Sequence, residues 1–63
     1  MKTGTVKFFI EDKGFGFIVD DETNQEIFVH VSGLIDDVRK DMAVTYEVVD
    51  GRKGPNAVNV RKA

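Results

Sequence analysis

Two stretches of this 63-residue chain carry side chains whose types and spacing suit one kind of chemistry: Lys13-Gly14-Phe15-Gly16-Phe17-Ile18 and Glu26-Ile27-Phe28-Val29-His30. Successive side chains of a strand point to opposite faces, so Phe15 and Phe17 share one face and Gly14, Gly16 and Ile18 the other. Taken alone, that pair reads either as core with a thin polar side or as an exposed aromatic platform over a packed Ile18. The second stretch favours the platform. Ile27 and Val29 are the natural core side, because branched aliphatics fill a sheet interior well, and this turns Phe28 and His30 outward. If the two strands pair, Phe15, Phe17, Phe28 and His30 lie side by side with Lys13 at their edge. Flat rings beside a cation form a surface on which unpaired nucleobases stack.

Other chemistries fit less well. His30 is the only histidine and there is no cysteine, so neither a histidine-rich nor a thiolate metal site is available. His30 and Ser32 lie two apart, but no acid is placed to orient them as a nucleophile and base. Gly14-Phe15-Gly16 lacks the third glycine and the following helix of a dinucleotide fingerprint. Asp20, Asp21 and Glu22 lack calcium-loop spacing and read as a solvated connection. The chain is expected to be neither an enzyme nor a cofactor carrier.

The elements that must position these residues are short. Thr3 to Ile10 has strand composition, but its alternation fails at Phe8-Phe9-Ile10. A bulged strand with Phe9 inward and Phe8 outward would explain that. Glu11-Asp12-Lys13-Gly14 is a tight turn, which predicts a hairpin of the first two strands. Asp20 to Gln25 is a polar connection to the third. Leu34, Ile35 and Val38 are spaced for one helical turn that could plug the end of a barrel. Val44, Tyr46 and Val48 mark a fourth strand. Asp50-Gly51-Arg52-Lys53-Gly54-Pro55 is a turn, and Ala57 to Arg61 is a fifth strand with Val58 and Val60 on one face. The expected core is Phe9, Ile18, Ile27, Val29, Val44, Tyr46, Val48, Val58 and Val60. Five short strands and one helical turn are accommodated economically by an all-β, antiparallel, partly open Greek-key barrel of the OB type.

Length and charge bound the rest. One domain, residues 1–63, is the ceiling, and a domain of this size is marginally stable. Its apolar runs are too short for a signal peptide or a membrane span, which makes a soluble cytoplasmic protein the expectation. The net charge of −2 hides a pattern: residues 1–18 carry +1, residues 19–50 carry −7 and residues 51–63 carry +4. Local potential matters more than the net value, so two basic ends around an acidic middle leave nucleic acid open as a partner.

At this point the residues resemble the bacterial cold-shock proteins. Lys13-Gly14-Phe15-Gly16-Phe17-Ile18 is similar to that family's first ribonucleoprotein motif and Ile27-Phe28-Val29-His30 to its second. Gly4-Thr5-Val6-Lys7-Phe8-Phe9 precedes them, and Gly54-Pro55-Asn56-Ala57-Val58-Asn59-Val60 follows in the family's order. The resemblance implies a cytoplasmic five-stranded barrel that binds single-stranded RNA and DNA with little sequence selectivity and melts RNA secondary structure. It implies stacking on Phe8, Phe15, Phe17, Phe28 and His30, with Lys7 and Lys13 near phosphate and Asp20 at the platform's edge. Arg52 and Lys53, read from the residues alone, sit in the turn before the last strand, where they either extend the cationic frame of Lys7 and Lys13 to the ligand or face solvent. An RRM domain also uses a Gly-aromatic strand, but it needs two helices for which this chain has no room.

The chain departs from the family at four places. Phe8 stands where Trp is usual, Ile10 where Asn is usual, and Val31 where Phe is common. The 34–38 loop is about four residues shorter than usual and lacks an aromatic. Two stacking positions are therefore missing, which predicts a shorter footprint and weaker binding unless Arg39 or Lys40 compensates. A rival reading makes the aromatic patch a docking surface for a protein partner. The cationic frame discriminates between the two, since phosphate contacts make binding fall with salt. A monomer is expected, with a swapped or edge-strand dimer as the alternative.

Overall fold

The computed structural model describes residues 1–51 and 54–63. Its strands are β1 (Lys2–Ile10), β2 (Phe15–Asp20), β3 (Glu26–His30), β4 (Ala43–Gly51) and β5 (Gly54–Lys62), with one 3-10 turn at Val31–Gly33. They close into a barrel in the order β1-β2-β3-β5-β4. Four seams are antiparallel. The fifth, between β3 and β5, is parallel and short, with Phe28 opposite Asn56 and Val29 opposite Ala57.

The expected bulge in β1 is present. Val6 pairs with Ile18 and Phe8 with Phe17, which leaves Lys7 as an extra residue without a partner in β2. That one residue resets the alternation. Before it, Val6 points into the core. After it, Phe8 and Ile10 lie opposite Phe17 and Phe15, while Phe9 lies opposite Gly16 and packs against the core. The two strands approach so closely here that an alanine methyl at Gly16 would stand 2.8 Å from the Phe9 Cα.

The core comprises Val6, Ile18, Ile27, Val29, Val38, Val44, Tyr46, Ala57 and Val60, with Phe9, Leu34, Met42 and Val48 packed against it. Val58 departs from expectation. Asn59 takes a left-handed conformation with φ of 53°, and the β4–β5 register slips between Thr45 and Glu47. Asn59 and Val60 together face Tyr46, a second bulge, so the inward residues of β5 are Ala57 and Val60, three apart. Period-two counting cannot reach that pair.

The helical turn is also displaced. It lies at Val31–Gly33, where the His30 side chain accepts a hydrogen bond from the Ser32 N–H, and not over Leu34 to Val38. Both the Ile35 and the Asp36 N–H donate to the Val60 carbonyl, at 2.9 and 3.2 Å, which holds that segment extended along β5. Leu34 and Val38 still seal the barrel end, as packed side chains of a loop. The same loop is tied to the β1 bulge: Val6 N–H donates to the Met42 carbonyl at 2.9 Å and Asp41 N–H to the Val6 carbonyl at 2.7 Å.

Candidate nucleic-acid interface

The register of three adjacent strands arranges the outward residues as a grid. One row runs Phe8, Phe17, Phe28 across β1, β2 and β3, and the next runs Ile10, Phe15, His30. Neighbouring strands lie about 4.8 Å apart, so each row extends roughly 10 Å. Phe8 and Phe17 have ring centroids 5.5 Å apart at a tilt of 59°, and Phe17 meets Phe28 edge-to-face at 5.8 Å. Phe15 and Phe28 lie nearly parallel, 5.9 Å apart. Such spacings favour aromatic pairs, so the rings brace one another while keeping an exposed surface. All four are partly exposed and His30 is fully on the surface.

The inner face explains why these rings are outside. Gly16 and Ile18 lie beneath Phe15 and Phe17, and Ile27 and Val29 beneath Phe28 and His30, in a barrel whose Cα radius of gyration is 10.0 Å. Tyr46 is the largest fully buried side chain among the described residues, and Phe9 is the other ring packed against this core.

His30 Nδ1 accepts from the Ser32 N–H at 3.2 Å and lies 2.9 Å from the Ser32 hydroxyl. That assignment places the ring hydrogen on the opposite ring nitrogen, Nε2. The pair that suggested a nucleophile is thus a cap on the 3-10 turn, with Nδ1 already committed.

The cations are placed unevenly. Lys7 lies at the Phe8–Phe17–Phe28 end of the grid, with its ammonium 3.0 Å from Glu26 Oε1, both side chains being half-exposed. Glu26 shares the outer face of β3 with Phe28 and His30, so the pair spans β2 and bars that end. Lys13 sits exposed in the 11–14 turn, whose Gly14 has φ of 72° and donates to the Ile10 carbonyl at 2.8 Å. Arg52 and Lys53 lie outside the described residues.

Asp20 is not at the platform's edge. It is the third inward residue of β2 after Gly16 and Ile18, and it is 2% exposed. Oδ1 accepts from the backbone N–H of Glu22 at 2.7 Å and of Thr23 at 3.2 Å, and Oδ2 accepts from the Tyr46 hydroxyl at 2.9 Å, with the Lys2 ammonium at 3.7 Å. The Glu22 N–H and then the Tyr46 hydroxyl hold its carboxyl below the usual aspartate value, outweighing burial. Burial, followed by the hydrogen bond to Asp20, raises the Tyr46 phenol above its ordinary value. Asp20 therefore pins the 20–25 loop and β4 to β2. The signal was in the sequence: Asp20 has the parity of Ile18, not of Phe17.

Ile10 is the grid residue that motif reading undervalued. Its place opposite Phe15 follows from the Lys7 bulge, and it offers an aliphatic contact where a polar one was in question.

Residues 2–63 match the family model described as the 'Cold-shock' DNA-binding domain. The chain is 48% identical over 66 positions to the cold shock protein CspA of Staphylococcus aureus, covering 98% of each chain. It is 44% identical over 66 positions to the cold shock-like protein CspD of Bacillus cereus, again covering 98% of each. It is 44% identical over 62 positions to a cold shock-like protein of Aquifex aeolicus, covering 92% of this chain and 89% of the relative. Alignments of 66 positions exceed the 63 residues available, so the chain is the one with a gap against the first two.

Proposed function

The chain belongs to the cold-shock DNA-binding domain family, and from that premise we propose that its aromatic grid binds single-stranded RNA and DNA with low sequence selectivity. The observation that carries this reading is the two-row arrangement of Phe8, Phe17, Phe28 and Phe15, His30 on one outward face, with neighbouring phenylalanine centroids 5.5 to 5.9 Å apart. Bases of an unpaired strand stack on these five residues, and the backbone passes Lys7 and Lys13. Stacking is tolerant of sequence because every base has a π-face. A duplex hides those faces and cannot lie on the grid.

The action on structured nucleic acid is then passive. Whatever binds only the open form shifts the equilibrium toward it by mass action, by about 2.7 kcal/mol at a hundred times the dissociation constant. No nucleotide hydrolysis enters. The reading makes the protein a monomeric RNA chaperone acting where RNA is made and used, in the cytoplasm.

Anisotropy of a labelled oligothymidine, with a duplex control and two salt concentrations, tests this. A label is needed because the chain has no tryptophan. The expected result is saturable single-strand binding that weakens with salt and is lost in folded Phe15→Ala and Phe28→Ala variants. No binding at high micromolar protein, with the barrel intact, would sink the reading and leave the patch to a protein partner.

A further inference from the structure

A groove opens where the grid ends. It lies beyond the Ile10–Phe15–His30 row, encloses about 310 Å³, and is lined by Phe9, Glu11, Val31, Leu34, Asp37 and Val38. Phe9, Leu34 and Val38 belong to or pack on the core and make an apolar floor. Val31 forms an exposed wall, at 50% exposure, and Ile35, equally exposed, neighbours the lining residues in sequence. Glu11 and Asp37 are its polar side chains.

We propose that this groove is a base-reading subsite that takes cytosine in preference to thymine or uracil at one end of the bound strand. The inference rests on the reading of the grid as a single-strand platform.

Continuity supports it first. Glu11 follows Ile10 and Val31 follows His30, so the two flanks of the Phe15 row run directly into the groove's walls. A base next in line beyond Phe15 arrives at its mouth. Chemistry then selects the base. Ionised carboxylates only accept hydrogen bonds, and cytosine presents its N4 amine as a donor. Thymine and uracil place O4, an acceptor, at the same position, where it faces the carboxylates acceptor to acceptor. Phosphate is excluded by like charge, so a base edge enters and the backbone stays on the Lys13 side. The groove offers a concave apolar floor and two acceptor side chains rather than a flat ring on the outer surface. Stacking is thereby exchanged for edge recognition. A cationic apolar peptide would share this complementarity, but only a nucleotide strand explains the continuity with the grid.

The test measures affinity for labelled hexathymidine and for versions carrying one terminal deoxycytidine or deoxyuridine, at the 5′ or the 3′ end. Deoxycytidine at one of the two ends is expected to tighten binding roughly fivefold or more, as one good base-edge contact does. Glu11→Ala and Asp37→Ala, both at exposed positions, should reduce that gain and leave hexathymidine binding no weaker. A gain equalled by deoxyuridine traces to the missing methyl group and overturns the proposal. So does a gain that survives both substitutions, or no gain at either end, which would leave the groove to a peptide. In each of those cases hexathymidine still binds, and the platform reading stands. Failure of every oligonucleotide to bind overturns both.

Discussion

At the scale of single residues, the outward rings and the buried carboxylate have opposite consequences. Phe17 touches Phe8 and Phe28 but faces away from the core, so Phe17→Ala should lower single-strand affinity by about 1–3 kcal/mol, read by titration, with the barrel still folded. Glu26 competes with phosphate for Lys7. Glu26→Gln should therefore tighten binding at low salt and steepen its salt dependence by about one phosphate contact, a slope change near 0.7 in log–log units. An unchanged slope would mean that Lys7 does not meet the backbone. Asp20 acts on the fold instead. Its folded carboxyl lies below the usual value of 3.8, so its contribution is complete above that pH and lost as pH falls through the lower folded value. Thermal melts should hold from neutral pH down to about 5 as far as this group is concerned and decline below about 4, and Asp20→Asn should flatten that decline. Tyr46 has the reverse sign: its raised phenol stabilises the barrel fully below pH ~10 and loses that contribution above it. Tyr46→Phe should cost about 1–3 kcal/mol, because it leaves a buried acceptor short of a donor. The difference between these residues was legible as parity. Phe15 and Phe17 alternate with Ile18 and Asp20, yet motif membership pulled Asp20 toward the wrong face.

At the scale of elements, the sequence reading succeeded where strands alternate simply and failed where a bulge intervenes. β2 and β3 could be faced from period two alone. The β1 bulge was visible as consecutive apolar residues at Phe8-Phe9-Ile10, although its effect on Ile10 was not. The bulge at Asn59 left only a weak trace, since asparagine tolerates φ above zero without requiring it, and Val58 and Val60 looked like an ordinary inward pair. The turn at Val31–Gly33 depends on a side-chain cap from His30, a contact that no spacing rule over Leu34 to Val38 contains. Asn59 makes this argument testable. Glycine pays no steric cost in the left-handed region, whereas a β-branched side chain costs roughly 1–2 kcal/mol there. Denaturant melts should place Asn59→Gly within a few tenths of a kcal/mol of the parent and Asn59→Val well below it. Equal stability of the two variants would mean that the β4–β5 slip is not set at this residue.

At the scale of the whole molecule, the placement of charge and rings sets the reach of the interface. The grid holds the five residues proposed to stack on bases in two rows, bounded at one end by the Lys7–Glu26 pair and at the other by a groove lined in part by Glu11 and Asp37. Neither boundary welcomes a thymine strand that continues past it. The first sequesters a cation, and the second presents acceptors to O4. The acidic middle of the chain further confines the favourable potential to the neighbourhood of the lysines. Homothymidine should therefore stop gaining affinity once the grid is covered. In calorimetric titrations against oligothymidines of three to nine nucleotides, affinity should rise steeply to about five and flatten beyond, as the one-base-per-ring logic of stacking requires. The salt slope at the plateau should correspond to the one or two phosphates met by Lys13 and, so far as Glu26 releases it, by Lys7, about −0.7 to −1.4. Continued gain through seven or more nucleotides would show that the strand crosses one of these boundaries, and the slope would identify which. A slope steepening with length implicates further cations such as Arg39 or Lys40, whereas a constant slope implicates bases lodging in the groove itself.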